Sequence, residues 1–149
     1  MILAPHMLAG AALATSIHHP VLLALGAAGL HFLLDALPHW EYDIMTSKKT
    51  AACKITADIA AGLLIILFIL QRFGSAEQAL LVWGAFFGIV PDGLLAIHLF
   101  SRGKYLRRHM QFHTFWHALI TPIGTRPPLW LGATTEILVG AASLFLLLR

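Results

Sequence analysis

The strongest constraint on this chain is a run from Ile59 to Leu70 that contains no polar side chain. It lies inside an apolar stretch of about 48–72. Comparable stretches fall at about 20–37, 76–100 and 129–148. A helix that crosses a bilayer needs roughly 20 apolar residues, and these four reach or approach that length. Two further segments, 2–18 and 105–120, are shorter, and the second is amphipathic. They are expected to tilt, re-enter or lie at the interface. Only 11% of the residues are charged, against roughly 25% in a soluble domain, so the outer surface cannot be mainly water-facing. The expected fold is all-α: a polytopic membrane helical bundle of about five to six hydrophobic helices, forming a single integral membrane domain over 1–149.

The punctuation agrees with this division. Pro20 suits the first turn of a new helix, and Pro38 stops helix 2. Ser47 is a plausible N-cap for helix 3. Gly74 sits at a helix end, and Ser75 with Gln78 has capping-box spacing before helix 4. Pro91 is expected to interrupt helix 4, and Thr121–Pro128 is a breaker-rich loop. Gly and Ala in helices 1, 2 and 4 permit close packing in lipid. No internal repeat is visible.

No Lys or Arg occurs before Lys48, so the basic start of a cleavable signal peptide is not expected. The single cysteine, Cys53, excludes an intramolecular disulfide and reads as a small packing residue. The net charge of +3 arises from basic residues beside apolar spans. That makes it a topology signal and argues against nucleic-acid binding. With a cytoplasmic N-terminus and every helix spanning, Lys48, Lys49, Lys54, Arg102, Lys104, Arg107, Arg108 and Arg149 fall inside, while Arg72 and Arg126 fall outside. If helix 5 does not span, Arg126 and Arg149 trade sides and the balance is unchanged, so the orientation of the C-terminus stays open. The expected location is the inner (cytoplasmic) membrane, multi-pass.

Within this apolar chain, the stretch Gly29–Asp43 concentrates the costly side chains. His31 and Asp35 are four apart and share one helix face. His39 follows Pro38, where the helix stops. Ionisable residues in a membrane are expensive and mark function by default. Placed by depth at about 1.5 Å per residue, Asp58, Asp92 and His113 reach the same inner half of the bilayer from helices 3, 4 and 5. His6 lies near the same end of helix 1. Carboxylates cannot gather uncompensated in low dielectric, and a cation resolves the repulsion. His with carboxylate is the ligand set of zinc, manganese and iron. The metal candidates are therefore His31, Asp35, Asp58, Asp92, His113 and His6, holding one or two divalent ions, zinc or manganese.

His39, His117 and Glu136 are candidates for proton transfer or for supporting the ligands. Plainer roles stand beside these. Asp58 can pair with Lys54, Asp92 can restart a broken helix after Pro91, and His31 with Asp35 can form a simple hydrogen bond. Glu136 can be a ligand, a base or an ion-pair partner. His109, His98, His18 and His19 read as interfacial, packing or capping residues.

Three motifs, His6-x-x-x-Gly10, Asp35-x-x-Pro38-His39 and His113-x-x-x-His117, resemble the YdjM-like membrane-bound metal-dependent hydrolases. Those are small multi-pass bacterial and archaeal proteins. They typically carry an early His, a Pro-Asp-x-Asp-His element and a later His-Arg-x-x-Thr-His-Ser element. Here the first Asp precedes the Pro, the Pro-Asp pair comes later as Pro91-Asp92, and the last element lacks the Arg. The resemblance implies a hydrolase. A site in the inner half of the bilayer suggests a lipid or lipid-linked phosphoester as substrate. A small proton- or metal-ion-handling transporter using the same His/Asp cluster is the alternative, and a structural module whose polar residues only join helices is a third.

Overall fold

A computed structural model describes residues 1–42, 48–121 and 125–149. Among them are six helices: α1 (Leu3–Leu13), α2 (Pro20–Asp35), α3 (Lys48–Leu70), α4 (Ser75–Phe100), α5 (Arg107–His117) and α6 (Leu129–Leu148). The all-helical bundle expected from the sequence is present. Ser47, expected to cap α3, and residues 122–124 of the breaker-rich loop lie outside the described residues.

Helices α3, α4 and α6 are long and apolar enough to cross a membrane. Their most apolar windows are only 17%, 28% and 17% buried within the protein. So much exposed hydrocarbon on long helices suits contact with lipid and not with water. By contrast α1, only about 16 Å long at 1.5 Å per residue, is buried without a break from Pro5 to Ala12. It packs against α2, α3, α4 and α6. A helix apolar on all sides belongs in a core, and here the shortest apolar segment is the centre of the bundle.

Small residues allow that seat. A methyl group added at Gly10 would fall on the Gly84 carbonyl, and one added at Gly88 would fall on the His6 carbonyl. Gly84 and Gly88 are spaced as in a small-xxx-small packing face, so the backbones of α1 and α4 touch. The same approach carries His6 to Gly88. It also leaves the start of α1 with unpaired amides inside the bundle, where bare donors are costly. Asp58 on α3 meets them: its carboxylate accepts from the backbone N–H of Leu3 and, at 3.2 Å, of Ala4.

Two local expectations change. Pro91 does not interrupt α4, which runs continuously from Ser75 to Phe100. At its start, Glu77 rather than Gln78 reaches back, accepting from the Gly74 N–H at 2.9 Å. Gln78 instead donates to the carbonyls of Leu70 and Phe73, closing the end of α3.

The last helix settles the path of the chain. Trp40, just past the end of α2, packs on Gly132, where an added Cβ would meet its Cδ1 at 2.7 Å. Its N–H donates to Glu136 Oε1 at 3.0 Å. The N-terminal third of α6 therefore lies at the same end of the bundle as the end of α2 and the end of α4. Helix α5 begins and ends there and does not cross. At the opposite end Leu23, Ile66, Ile69, Leu81 and Leu147 close an apolar core with α1.

Candidate metal centre

Asp35 is the hub of the site. It is 1% exposed, and the Nε2 atoms of five histidines approach its carboxylate. His31 comes within 2.9 Å, His6 3.0 Å, His117 3.2 Å, His113 3.4 Å and His39 3.8 Å. The backbone nitrogen of Met1 also lies 2.8 Å from Oδ1. Each approach has a local cause. The i,i+4 spacing on α2 stacks His31 over Asp35. The same spacing on α5 aligns His113 with His117, whose rings lie 4.8 Å apart. Phe32, on the neighbouring face of α2, packs edge-on against Phe112 at 4.9 Å and so docks α5. His109 donates from Nε2 to the Pro91 carbonyl at 2.8 Å and ties α5 to α4. From α4 comes Asp92, whose Oδ1 is 3.2 Å from His113 Nε2. The α1–α4 contact places His6, which stacks on His31 at 4.0 Å.

The tautomers are set from behind. His31 Nδ1 faces the Gly88 carbonyl at 2.8 Å, and His39 Nδ1 faces the Leu37 carbonyl at 2.6 Å. A carbonyl only accepts, so each Nδ1 carries the hydrogen. His117 Nδ1 lies 2.6 Å from Glu41 Oε1, a carboxylate that also accepts. When their rings are neutral, His31 and His39 therefore turn a lone pair at Nε2 toward the Asp35 anion, and such lone pairs repel a buried carboxylate unless a positive charge sits among them. In the metal-free protein the protonated His117 and the Met1 nitrogen supply that charge, and a metal ion could replace the His117 proton. Backing of Nδ1 by a carbonyl or carboxylate is also how metal-ligating histidines are oriented.

Two groups of potential ligand atoms result, in each of which the atoms lie within 4.8 Å of one another. One is His31, Asp35, Asp92 and His113, and the other is Asp35, His39 and His117. The chain thus holds a buried His/Asp cluster able to chelate a metal, and the donor set fits a first-row divalent ion.

Of the residues singled out in the sequence, His31, Asp35, Asp92 and His113 meet in one group, and His39 and His117 join Asp35 in the second. Three do not join either. His6 reaches Asp35 Oδ1 as a hydrogen-bond partner beside the groups. Asp58 is occupied by the amides of α1, because a helix starting inside the bundle needs an acceptor there. It caps α1 and lies in neither group. Glu136 accepts from the Trp40 backbone N–H and so holds α6 to the end of α2.

Glu41 was not expected. It stands 2.6 Å from His117 Nδ1 and 3.4 Å from His39 Nε2. It lies past the end of α2, where no helical spacing relates it to the histidines, and its one signal in the sequence is its place two residues past His39. The hydrogen bonds from His117 and His39 hold its carboxyl below the usual range. His117 answers in kind. Burial pulls its pKa down, but its bonds to Asp35 and Glu41 outweigh this and raise it to about 9.

No family model matches the chain, and no curated protein or solved structure matches it.

Proposed function

We propose that the chain is a membrane-embedded metal-dependent hydrolase acting on a lipid or lipid-linked phosphoester at the cytoplasmic half of the bilayer. The observation that carries the reading is the convergence of five imidazole Nε2 atoms on the buried Asp35 carboxylate, with Asp92 beside them. The resemblance to the YdjM-like hydrolases, at His6, Asp35, His39, His113 and His117, points the same way. A bound zinc or manganese ion supplies Lewis-acid polarisation of a phosphoryl oxygen.

The chain's own residues do the rest. His31, Asp35, Asp92 and His113 hold the charge centre. The Asp92 side chain is 23% exposed, so the group is open on one side. Glu41, at 60% exposure, touches the cluster through His39 and His117 and faces outward. It stays ionised at the mouth and holds the Nδ1 hydrogen of His117. The apolar side chains of Phe112, Phe115, Leu119 and Ile120 are exposed on and just after α5. They suit a helix lying along the lipid surface beside the mouth. The cytoplasmic assignment follows from charge. With α5 not crossing, eight of the ten Lys and Arg belong to the site end, leaving Arg72 and Arg149 at the other.

The transporter reading asks for a polar route to the opposite face. Beyond His6 and His31 the bundle is closed by the core of Leu23, Leu81 and Leu147, which opposes it. The test is hydrolysis of radiolabelled phospholipids and polyprenyl phosphoesters by detergent-purified protein. Release of product that is lost with chelator and restored by zinc or manganese is expected. Metal-loaded protein inactive on the whole panel would overturn the hydrolase reading.

A further inference from the structure

The two ligand groups share one residue, and the sharing has a specific geometry. A tetrahedral ion takes four protein ligands at most. His31, Asp35, Asp92 and His113 already supply four. That leaves His39 Nε2, buried in a residue 6% exposed, between two carboxylates, with Glu41 Oε1 at 3.4 Å and Asp35 Oδ1 at 3.8 Å. It also leaves His117 Nε2 aimed at the Asp35 carboxylate with Nδ1 backed by Glu41. One ion in the first group engages neither nitrogen. Oδ2 of Asp35 faces His31, His113 and also His117, so one carboxylate oxygen looks onto both groups, while Oδ1 meets the Met1 nitrogen and His6 and lies 3.8 Å from His39.

We propose that the centre is binuclear: Asp35 bridges two divalent cations, one held by His31, Asp92 and His113 and the other by His39 and His117. Glu41 orients His117 and stands beside the second position at the mouth. The inference rests on the metal-dependent reading above and adds the second ion, its ligands and its exposure. His39 and His117, expected from sequence to transfer protons or support the ligands, become ligands. The two positions are unequal. The first has four protein ligands and touches solvent through Asp92, 23% exposed, whereas the second has three and lies beside Glu41, 60% exposed, so its ion leaves first.

The experiment is elemental analysis of the full chain in detergent after equilibrium dialysis against zinc, at matched monodispersity and helical circular dichroism. The wild type is expected to hold two ions per chain, with one removed by a weak chelator and the second only by a strong one. His39→Ala with His117→Ala should hold one, as should His113→Ala with Asp92→Asn. Because these variants can fail to fold, the wild type is also loaded with manganese. A carboxylate-bridged pair gives an exchange-coupled electron paramagnetic resonance spectrum, and isolated ions give the six-line signal. One zinc per wild-type chain, or two uncoupled manganese ions, overturns the binuclear centre and leaves the mononuclear hydrolase standing. Two zinc ions retained in the His39→Ala/His117→Ala protein overturn it as well. No bound metal overturns both readings. Two coupled ions in a protein without hydrolytic activity overturn only the hydrolase.

Discussion

Asp35 is a position where a proton and a divalent ion compete for the same lone pairs, and substitution there separates charge from shape. Asp35→Asn removes the anion at nearly constant volume. It is expected to abolish metal binding with the helical content intact, and His31→Gln is expected to weaken it strongly. Leu34→Ala, one residue away, should alter packing and leave metal content unchanged; elemental analysis decides among the three. Without metal the rim of the site depends on pH. The pKa of His117 is raised from 6.5 to about 9. Its contribution to stability is therefore complete below pH 6.5 and is lost as the pH rises through about 9. Glu41 has the opposite sign: its carboxyl is depressed from 4.5, so its contribution is present above that pH and lost as the pH falls. Chelated protein should melt highest between these limits, and His117→Gln should flatten the alkaline side of the Tm profile. Glu41 itself was illegible in the sequence, since an acid in a polar turn has the same local pattern whether it faces water or a histidine. His31 and Asp35 were legible because one helical turn relates them.

Helical geometry explains why Asp58 falls outside both ligand groups. Counting residues from the start of α3 places it at the right depth, but depth says nothing of direction around the helix. That direction is set by α1, whose free amides need an acceptor. Asp58→Ala should therefore cost about 1 kcal/mol of stability, the usual value of a helix cap, and leave metal stoichiometry unchanged. A lost ion in Asp58→Ala would return this residue to the ligand set. The α1–α4 contact gives a second test at this scale. Gly88→Ala forces a methyl group onto the His6 carbonyl. Overpacking of this kind costs about 1–3 kcal/mol. It should also loosen metal binding, because the Gly88 carbonyl orients His31. Gly140→Ala, where an added methyl meets nothing within 4 Å, is the control and should change neither thermal stability nor affinity. Gly and Ala in helices 1 and 4 announced close packing in the sequence. Which glycine faces which carbonyl was not readable, because small residues on α1 are spread over every face.

At the scale of the whole chain, the spans were legible from apolar length, while the course of the last two helices was not. Arg126 and Arg149 exchange sides without altering the charge balance, so charge cannot tell whether α5 crosses. The packing of Trp40 on Gly132 and Glu136 can. In a Cys53→Ala background, Ser101→Cys and Thr125→Cys should label from the same side of the membrane, and a cysteine replacing Arg149 from the opposite side. Accessibility of Ser101→Cys to an impermeant reagent outside intact cells would reverse the orientation derived from the basic residues.

The central seat of α1 bears on how the protein is made. This helix leaves the ribosome before α4 and α6, two of the helices that enclose it. At about 16 Å it is too short to cross a hydrocarbon layer of about 30 Å by itself. During synthesis it has no stable lodging until its later neighbours arrive. The membrane-insertion machinery must hold α1 or let it wait at the interface, and a chain truncated before α4 presents it as an unhoused hydrophobic segment for quality control to degrade.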